Sequence, residues 1–315
     1  MPIQNVGTLL ENLVVTEAAR ALLEVCRDQA APFEFLNAFA MPPRSRWVPH
    51  SQNAGFDDAV LDKVRDIGDP ALPDGAAYPF LLRANLRADR MQGPNAALLV
   101  LGAWGGTGCS CRMWLNDVRD GHYDDAIPQL QQIHTVAAST YGANSIAVDR
   151  LDVRVSDTTY PDSIADLSGA LKDWDGVARA GARLGFLDPM RYRIDGRNGA
   201  ETSSEDHRRW LAQLAFEGHT VAVQFTGHNN HASLEGELCA LHEDALAEGY
   251  LTSRCFKRQH YAVFFSSRCA LPEQAEKMAA DLEVRVRRAW NSWCQAFTSL
   301  SDTGLKVYRN GKAIR

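Results

Sequence analysis

Apolar residues recur along the first part of the chain in patterns that predict one helix and one strand. Residues 16–30 carry apolar side chains at the three-to-four spacing of a half-buried helix, with Thr16 as its N-cap and Pro32 as its stop. The run FEFLNAFA at residues 33–40 has the length and aromatic content of a strand, and the prolines after it end that strand. Residues 41–93 are irregular, which predicts an inserted loop or lid.

The run ALLVLGAWGGTG at residues 97–108 has two interpretations. A buried strand feeding a glycine-rich loop would suit a phosphate or nucleotide. The next strand, CRMWLN at residues 111–116, follows too soon for a parallel crossover, which needs roughly a dozen residues. A helix with Pro94 at its first position, ending at Gly105 and Gly106, avoids that conflict and is the prediction. A hairpin between the two apolar runs stays open.

Strand and helix patterns then alternate to the end of the chain. Strands are predicted at residues 151–157, 183–188 and 219–226, and helices at 124–140, 161–172, 203–217 and 233–248. Two further strands, 250–257 and 260–267, are joined by two residues and therefore form an antiparallel hairpin. The fold prediction is a single α/β domain spanning 1–315, with a doubly wound, mostly parallel seven-stranded sheet, a C-terminal antiparallel hairpin, and 271–315 as a helix and tail.

Composition limits the cellular location and the binding partners that we expect. The chain has 315 residues, 45% hydrophobic content, seven cysteines and a net charge of -6. No run reaches the roughly 18 apolar residues of a membrane span, and an odd number of scattered cysteines favours reduced thiols, so we expect a cytoplasmic protein without membrane contact. The charge gives no global attraction to nucleic acid. Basic residues at 285–288 and 306–315 leave local nucleic-acid binding open, although a solvated helix face and tail is the simpler interpretation.

The strand at residues 183–188 ends in a group that suits a binding site. Asp188 and Pro189 close the strand, and Tyr192 follows on the loop. Parallel sheets place ligands at such strand ends, and a carboxylate, a fixed backbone and an aromatic ring fit a flat, amine-bearing molecule. Asp-Pro after a strand is also an ordinary loop opener, because proline cannot continue the ladder.

The order of elements over about residues 30–270 resembles the class I S-adenosylmethionine (SAM)-dependent methyltransferase fold, in which the final strand inserts antiparallel. The resemblance implies that Asp117 and Asp157 hold the adenosine of SAM. It also implies that the loop after the first strand, represented by Asn37, Phe39, Ala40 and Met41, faces the methionine part. Either aspartate could equally be a helix N-cap. That loop contains no glycine, so side chains occupy the place where close backbone approach is usual.

The segment Asp188-Pro189-Met190-Arg191-Tyr192 resembles the Asp-Pro-Pro-Tyr type motif of amino-group methyltransferases. The resemblance implies that Asp188 orients the target amine, while Pro189 and Tyr192 shape its pocket. Two residues stand where the motif has one proline, which displaces the tyrosine by one position. Within the superfamily, FEFLNAFAMPP, RMWLND and LGFLDPMRYR are most similar to the three-Cys-motif partner proteins, a bacterial group associated with mobile and defence gene neighbourhoods.

Another group of residues has the chemistry of a zinc site: His228, His231, Cys239 and His242. Caps and core packing explain the same residues, because the cysteine lies on an apolar helix stripe. Serine-hydrolase, P-loop and zincin motifs are absent from the sequence.

Three hypotheses follow. The first is a SAM-dependent methyltransferase that acts on an amine of a base-like or planar acceptor. The second is a catalytically inactive methyltransferase-fold subunit of a bacterial defence or mobile-element system, which would bind a protein partner. The third is a zinc-dependent enzyme.

Overall fold

The computed structural model describes residues 3–4, 6–40, 42–47, 92–105, 107–117, 126–142, 144, 146–188, 204–227, 234–258, 261–296 and 304–314.

The strands are β1 (Ile3–Gln4), β2 (Phe33–Asn37), β3 (Arg44–Trp47), β4 (Gln92–Pro94), β5 (Cys111–Asn116), β6 (Leu151–Ser156), β7 (Ala182–Leu187), β8 (His219–Gly227), β9 (Thr252–Arg258), β10 (Tyr261–Arg268), β11 (Lys306–Arg309) and β12 (Lys312–Ala313). The α-helices are α1 (Val6–Gln29), α2 (Ala96–Trp104), α3 (Ala126–Gln131), α4 (Ile133–Tyr141), α5 (Tyr160–Val177), α6 (Ser204–Leu214), α7 (Leu234–Ala247) and α8 (Pro272–Ala296).

A mixed sheet of nine strands forms the centre of the described structure, in the order β12-β11-β9-β10-β8-β7-β2-β5-β6. The five strands from β8 to β6 are mutually parallel. Strand β10 runs antiparallel between β8 and β9, as the predicted hairpin requires. A separate small sheet has the order β1-β3-β4. The α/β class and the parallel centre are therefore confirmed.

The prediction of seven strands is wrong because the end of the chain adds two more. Strand β11 pairs antiparallel with β9, and β12 pairs with β11. The turn between them has positive φ at Asn310 (50°) and Gly311 (78°). An Asn-Gly turn is a strong hairpin signal, since both residues tolerate the left-handed backbone that a tight turn needs. The sequence carried that signal in a segment interpreted as a tail.

Helix α1 begins ten residues earlier than predicted, and Thr16 is not its N-cap. The hydroxyl of Thr16 donates a 2.7 Å hydrogen bond to the carbonyl of Asn12, one turn back within the helix. Threonine inside a helix commonly makes this bond, so its presence does not mark a helix start. The additional turns include Glu11, whose side chain is buried.

The run before Trp104 is a helix, as predicted, and not a strand feeding a glycine loop. Asn95 caps α2, and its side-chain oxygen accepts a 2.9 Å hydrogen bond from the backbone N–H of Leu98. Pro94, predicted as the first helical residue, instead ends β4. Helix α2 packs on α1, and its side chains from Ala96 to Leu101 are buried.

Apolar clusters lie on both faces of the central sheet. The larger cluster joins the sheet to α1, α2, α4 and α8. The cluster on the other face contains Trp114 of β5, Trp174 of α5 and Trp210 of α6. Because helices cover both faces, the edge formed by the carboxyl ends of the parallel strands is the natural place for a ligand.

Candidate functional site

The carboxyl ends of four adjacent parallel strands place the three predicted acidic residues along one edge of the sheet. Strand order is β6-β5-β2-β7, and the strands end nearly level, with Asn116 paired to Ser156 and Asn37 paired to Phe186. Asp157, Asp117 and Asp188 each come directly after one of these strands. The structure therefore brings these three residues to the same edge.

Side-chain alternation assigns the three acids to the same face of the sheet. Asp117 continues the alternation of Met113 and Leu115, and Asp188 continues that of Leu184 and Phe186. Those four apolar residues belong to the cluster that also contains α1 and α2. Asp157 likewise follows Val153 and Val155, which pack against that cluster.

The three aspartates differ in exposure, and they therefore differ in how a ligand can reach them. Asp117 is only 4% exposed, and its backbone N–H donates a 3.3 Å hydrogen bond to the carbonyl of Ser156. Asp157 is exposed and Asp188 is half-buried. A buried carboxylate holds a fixed position, whereas an exposed one is accessible to a ligand from solvent.

Asn116 ties the loops after β2 and β6 to the end of β5. Its amide nitrogen donates to the carbonyls of Ala38 (3.0 Å) and Thr158 (3.2 Å), and its side-chain oxygen accepts from the N–H of Thr158 (3.3 Å). The residue is fully buried. Sequence reasoning missed Asn116, although a polar residue directly before Asp117 at a strand end was a usable signal.

The loop after β2 uses its backbone donors inside the protein. The N–H of Ala38 donates to the carbonyl of Phe186 (3.1 Å), and that of Ala40 donates to the carbonyl of Asn116 (2.6 Å). The N–H of Phe39 donates to the side-chain oxygen of Asn37 (3.0 Å). Residues 37–40, from the end of β2 through this loop, are all buried. Met41 lies outside the described residues.

Glu11 is a site residue that sequence reasoning missed. It is 4% exposed, and its side chain is hydrogen-bonded to that of Asp188. Burial raises the pKa of Glu11 well above its ordinary value, and the charge of Asp188 and the hydrogen bond raise it further. No sequence pattern connects the two residues, because Glu11 lies ahead of the predicted helix.

The other residues of the predicted acceptor pocket, Pro189 and Tyr192, lie outside the described residues. Only part of the predicted zinc set is described, because His228 and His231 also lie outside the described residues. Sγ of Cys239 lies 3.6 Å from the carbonyl oxygen of Gly311, and Nδ1 of His242 lies 3.0 Å from the hydroxyl of Ser253. Burial lowers the pKa of His242. Within the described ranges, no three His, Cys, Asp or Glu residues are grouped to hold a metal ion.

The basic residues near the C-terminus are largely engaged in ion pairs. Arg285 contacts Glu24, while Arg287 and Arg309 contact Glu283. Among the predicted basic positions, Lys306 and Lys312 are exposed, and Arg315 lies outside the described residues. The ion pairs reduce the positive charge that this surface presents to an anionic partner.

Comparisons with known proteins bear on the fold. No protein-family model matches the chain, and a search of curated proteins found no match. Among solved structures, the chain is similar to protein LPL1258 from Legionella pneumophila strain Philadelphia 1, which is described under the family model DUF519. The TM-score is 0.57 at 12% identity, covering 96% of this chain and 97% of that one. The likeness shows the fold alone.

A second solved structure, EvdMO1, is 11% identical and aligns with a TM-score of 0.32, covering 82% of this chain and 42% of that one. That score is too low to support any argument. In the part of the chain that the structure describes, none of the helices combines the length and the apolar character that crossing a membrane requires.

Proposed function

We propose that the protein is a SAM-dependent methyltransferase that acts on an amine of a base-like or planar acceptor. The observation that carries the proposal is that Asp117, Asp157 and Asp188 each follow a parallel strand at the same carboxyl edge of the sheet. Strand β10, inserted antiparallel between β8 and β9, adds support, because the class I methyltransferase fold has its final strand in that arrangement.

The carboxylates fit the adenosine half of SAM. Asp117 and Asp157 follow the neighbouring strands β5 and β6, and a carboxylate can accept hydrogen bonds from both hydroxyls of a ribose. The loop after β2 fits the methionine half less well, because the N–H groups of Ala38, Phe39 and Ala40 already have acceptors. Binding of SAM therefore depends on the two aspartates more than on this loop.

Bound SAM would supply an electrophilic methyl group on its sulfonium. The role of the protein is to hold the acceptor amine in line with that methyl group and to exclude water. Asp188 accepts a hydrogen bond from the amine and thereby fixes its direction. Pro189 and Tyr192 would form the wall against the acceptor ring.

The assignment of roles predicts opposite effects for two substitutions. Methyl transfer from tritium-labelled SAM to a single-stranded oligonucleotide that contains all four bases measures turnover, and equilibrium dialysis measures SAM binding. We expect Asp117→Ala to abolish SAM binding. We expect Asp188→Ala to retain SAM binding and to abolish transfer. The opposite pattern would overturn the roles assigned here.

The loop after β2, whose N–H groups are already hydrogen-bonded within the protein, favours a second function. In this function the protein is a methyltransferase-fold subunit that binds a protein partner without using SAM. A loop whose described N–H groups are satisfied and whose side chains are buried offers a cofactor little to contact. In that case neither SAM nor S-adenosylhomocysteine binds, and mass spectrometry of the purified protein from its host finds a stoichiometric protein partner. The likeness to the three-Cys-motif partner proteins points to bacterial defence or mobile-element systems as the setting.

A further inference from the structure

The central sheet ends in two edges of different character. In the described part of the chain, one edge is β12, which has two exposed residues, Lys312 and Ala313. The other edge is β6, which has six residues and pairs with β5 alone among the described strands. Proteins protect sheet edges by keeping the edge strand short or by adding lysine or proline. Strand β12 is protected in this way, whereas β6 (LDVRVS) is long and has neither residue.

The backbone of β6 directs alternate residues toward the open edge. The N–H of Asp117 donates a 3.3 Å hydrogen bond to the carbonyl of Ser156, so Ser156 directs its backbone groups toward β5. Because this direction alternates along a strand, the even-numbered residues of β6 face β5 and the odd-numbered residues face outward. The N–H of Leu151 is already used in the preceding turn. The N–H and C=O groups of Val153 and Val155 therefore lie along the open edge.

The side chains of β6 carry a charge pattern that is complementary to itself. Asp152 and Arg154, two positions apart, lie on the face that α5 covers. There Nε1 of Trp174 donates a 2.6 Å hydrogen bond to Asp152, and Arg154 contacts Asp173 at 2.9 Å. Both side chains remain accessible, at 49% exposure for Asp152 and 35% for Arg154. An acid and a base thus stand together on one face of an open strand.

We propose that β6 is the contact surface of a homodimer, in which the β6 strands of two copies pair antiparallel across a twofold axis at Val153. Asp152 of each copy then lies opposite Arg154 of the other, and Leu151 lies opposite Val155. The two copies of Val153 exchange both backbone hydrogen bonds, and the N–H of Val155 donates to the carbonyl of Leu151 in the other copy. The charged pairs occupy the non-hydrogen-bonded positions, where opposing side chains are closest. The two nine-stranded sheets become one.

Charge selects this register over its neighbours. An axis one residue earlier places Asp152 opposite its own copy, and an axis one residue later does the same for Arg154. An in-register parallel pairing also places like charges opposite each other. Like charges directly opposite destabilise a strand pair. The partner that β6 fits is therefore a second copy of this chain in one antiparallel register, and a twofold contact of this kind closes as a dimer.

The dimer does not depend on the proposed function. Because the paired strands are antiparallel, the carboxyl edges of the two copies face in opposite directions. Each copy keeps its own Asp117, Asp157 and Asp188 at its own edge. Failure to bind SAM would leave the dimer proposal intact, and a monomeric protein would leave the SAM proposal intact.

Sedimentation equilibrium of the full chain at micromolar concentration tests the proposal. We expect the wild type to have twice the 34.8 kDa mass of the chain. Asp152→Arg and Arg154→Asp should each be monomeric, because each leaves only like charges in the opposed pairs. An equimolar mixture of these two variants should be dimeric, because the basic pair of one then lies opposite the acidic pair of the other. Only an antiparallel contact between the two β6 strands explains that rescue.

The matched control reverses a charge away from β6. Arg179 forms an exposed ion pair with Glu217, so Arg179→Asp should remain dimeric. Val153→Pro tests the backbone contact, because the N–H that proline removes points outward and not toward β5. This variant should be folded by circular dichroism and monomeric by sedimentation.

Two results overturn the proposal. One is a wild type that is monomeric throughout the micromolar range. The other is a mixture of Asp152→Arg and Arg154→Asp that stays monomeric, because it shows that the charges on β6 do not meet across a twofold axis. If Val153→Pro does not fold, the mixture of the two charge variants still decides the question.

Discussion

Nε of Arg183, on β7, donates a 2.6 Å hydrogen bond to Oε2 of Glu34, on the neighbouring strand β2, where both side chains are buried. The other carboxylate oxygen accepts a 3.0 Å hydrogen bond from Arg112 of β5. One carboxylate thus joins the three central strands whose carboxyl ends form the candidate site.

Removing the charge of Glu34 should destabilise the protein strongly. Glu34→Gln leaves the guanidinium groups of Arg112 and Arg183 buried with less compensation, and breaking a buried ion pair costs roughly 3–5 kcal/mol. Urea unfolding at neutral pH measures the change. Glu217→Gln is the control, because its pair with Arg179 is exposed and should contribute little. Equal losses in the two variants would contradict the account.

The turn at Asn310 and Gly311 should tolerate no side chain at Gly311. Its φ is +78°, and a Cβ there would lie 2.8 Å from the Cα of Cys239. Gly311→Ala should lower the melting temperature, because a left-handed alanine alone costs about 1–2 kcal/mol. Gly304→Ala is the matched control, since a Cβ at that position meets nothing within 4 Å. A melting temperature of Gly311→Ala equal to that of the control would contradict both the left-handed backbone at Gly311 and its close approach to Cys239.

Glu283 of α8 should make stability depend on acid pH. Burial alone would raise the pKa of Glu283, but hydrogen bonds from Arg309 and Arg287 outweigh it and lower the pKa. A carboxyl with a lowered folded pKa contributes stability above its unfolded pKa and loses it as the pH falls through the folded value. Urea unfolding at pH 7 and pH 3 should show that Glu283→Gln is destabilised at pH 7 and that the gap narrows at pH 3. A gap that widens in acid would contradict this sign.

Gln224 of β8, which pairs with Leu187 at the end of β7, should lower the stability of the fold. Its side chain is 3% exposed, and in the described part of the structure neither amide atom has a hydrogen-bond partner. An unsatisfied buried polar group costs about 1–3 kcal/mol, so Gln224→Met, which has a similar shape, should raise the melting temperature. Gln224→Glu should lower it, because it buries a charge. A lower melting temperature for Gln224→Met would indicate that the amide has a partner in solution.

Much of the sheet could be predicted because periodicity, strand length and connection length act locally. The short link between residues 108 and 111 ruled out a crossover, and the two residues between β9 and β10 required a hairpin. The acids at strand ends followed from that order, since parallel strands bring their carboxyl ends to one edge.

The rest depended on contacts between distant parts of the chain. Thr16 resembles an N-cap in sequence, and only the folded helix shows its hydroxyl bonded to Asn12. The pairing of Glu11 with Asp188 joins residues far apart in sequence, and no local pattern encodes it. The Asn310-Gly311 signal was local and could have been used.

Calorimetric titration with S-adenosylhomocysteine tests the central claim most directly, namely that the aspartates at the carboxyl edge form an adenosine site. We predict saturable 1:1 binding to the wild type, loss of binding in Asp117→Asn, and wild-type binding in Asp173→Asn, which removes an acid from the exposed side of α5. Absence of binding to the wild type, or equal binding to all three proteins, would contradict the account.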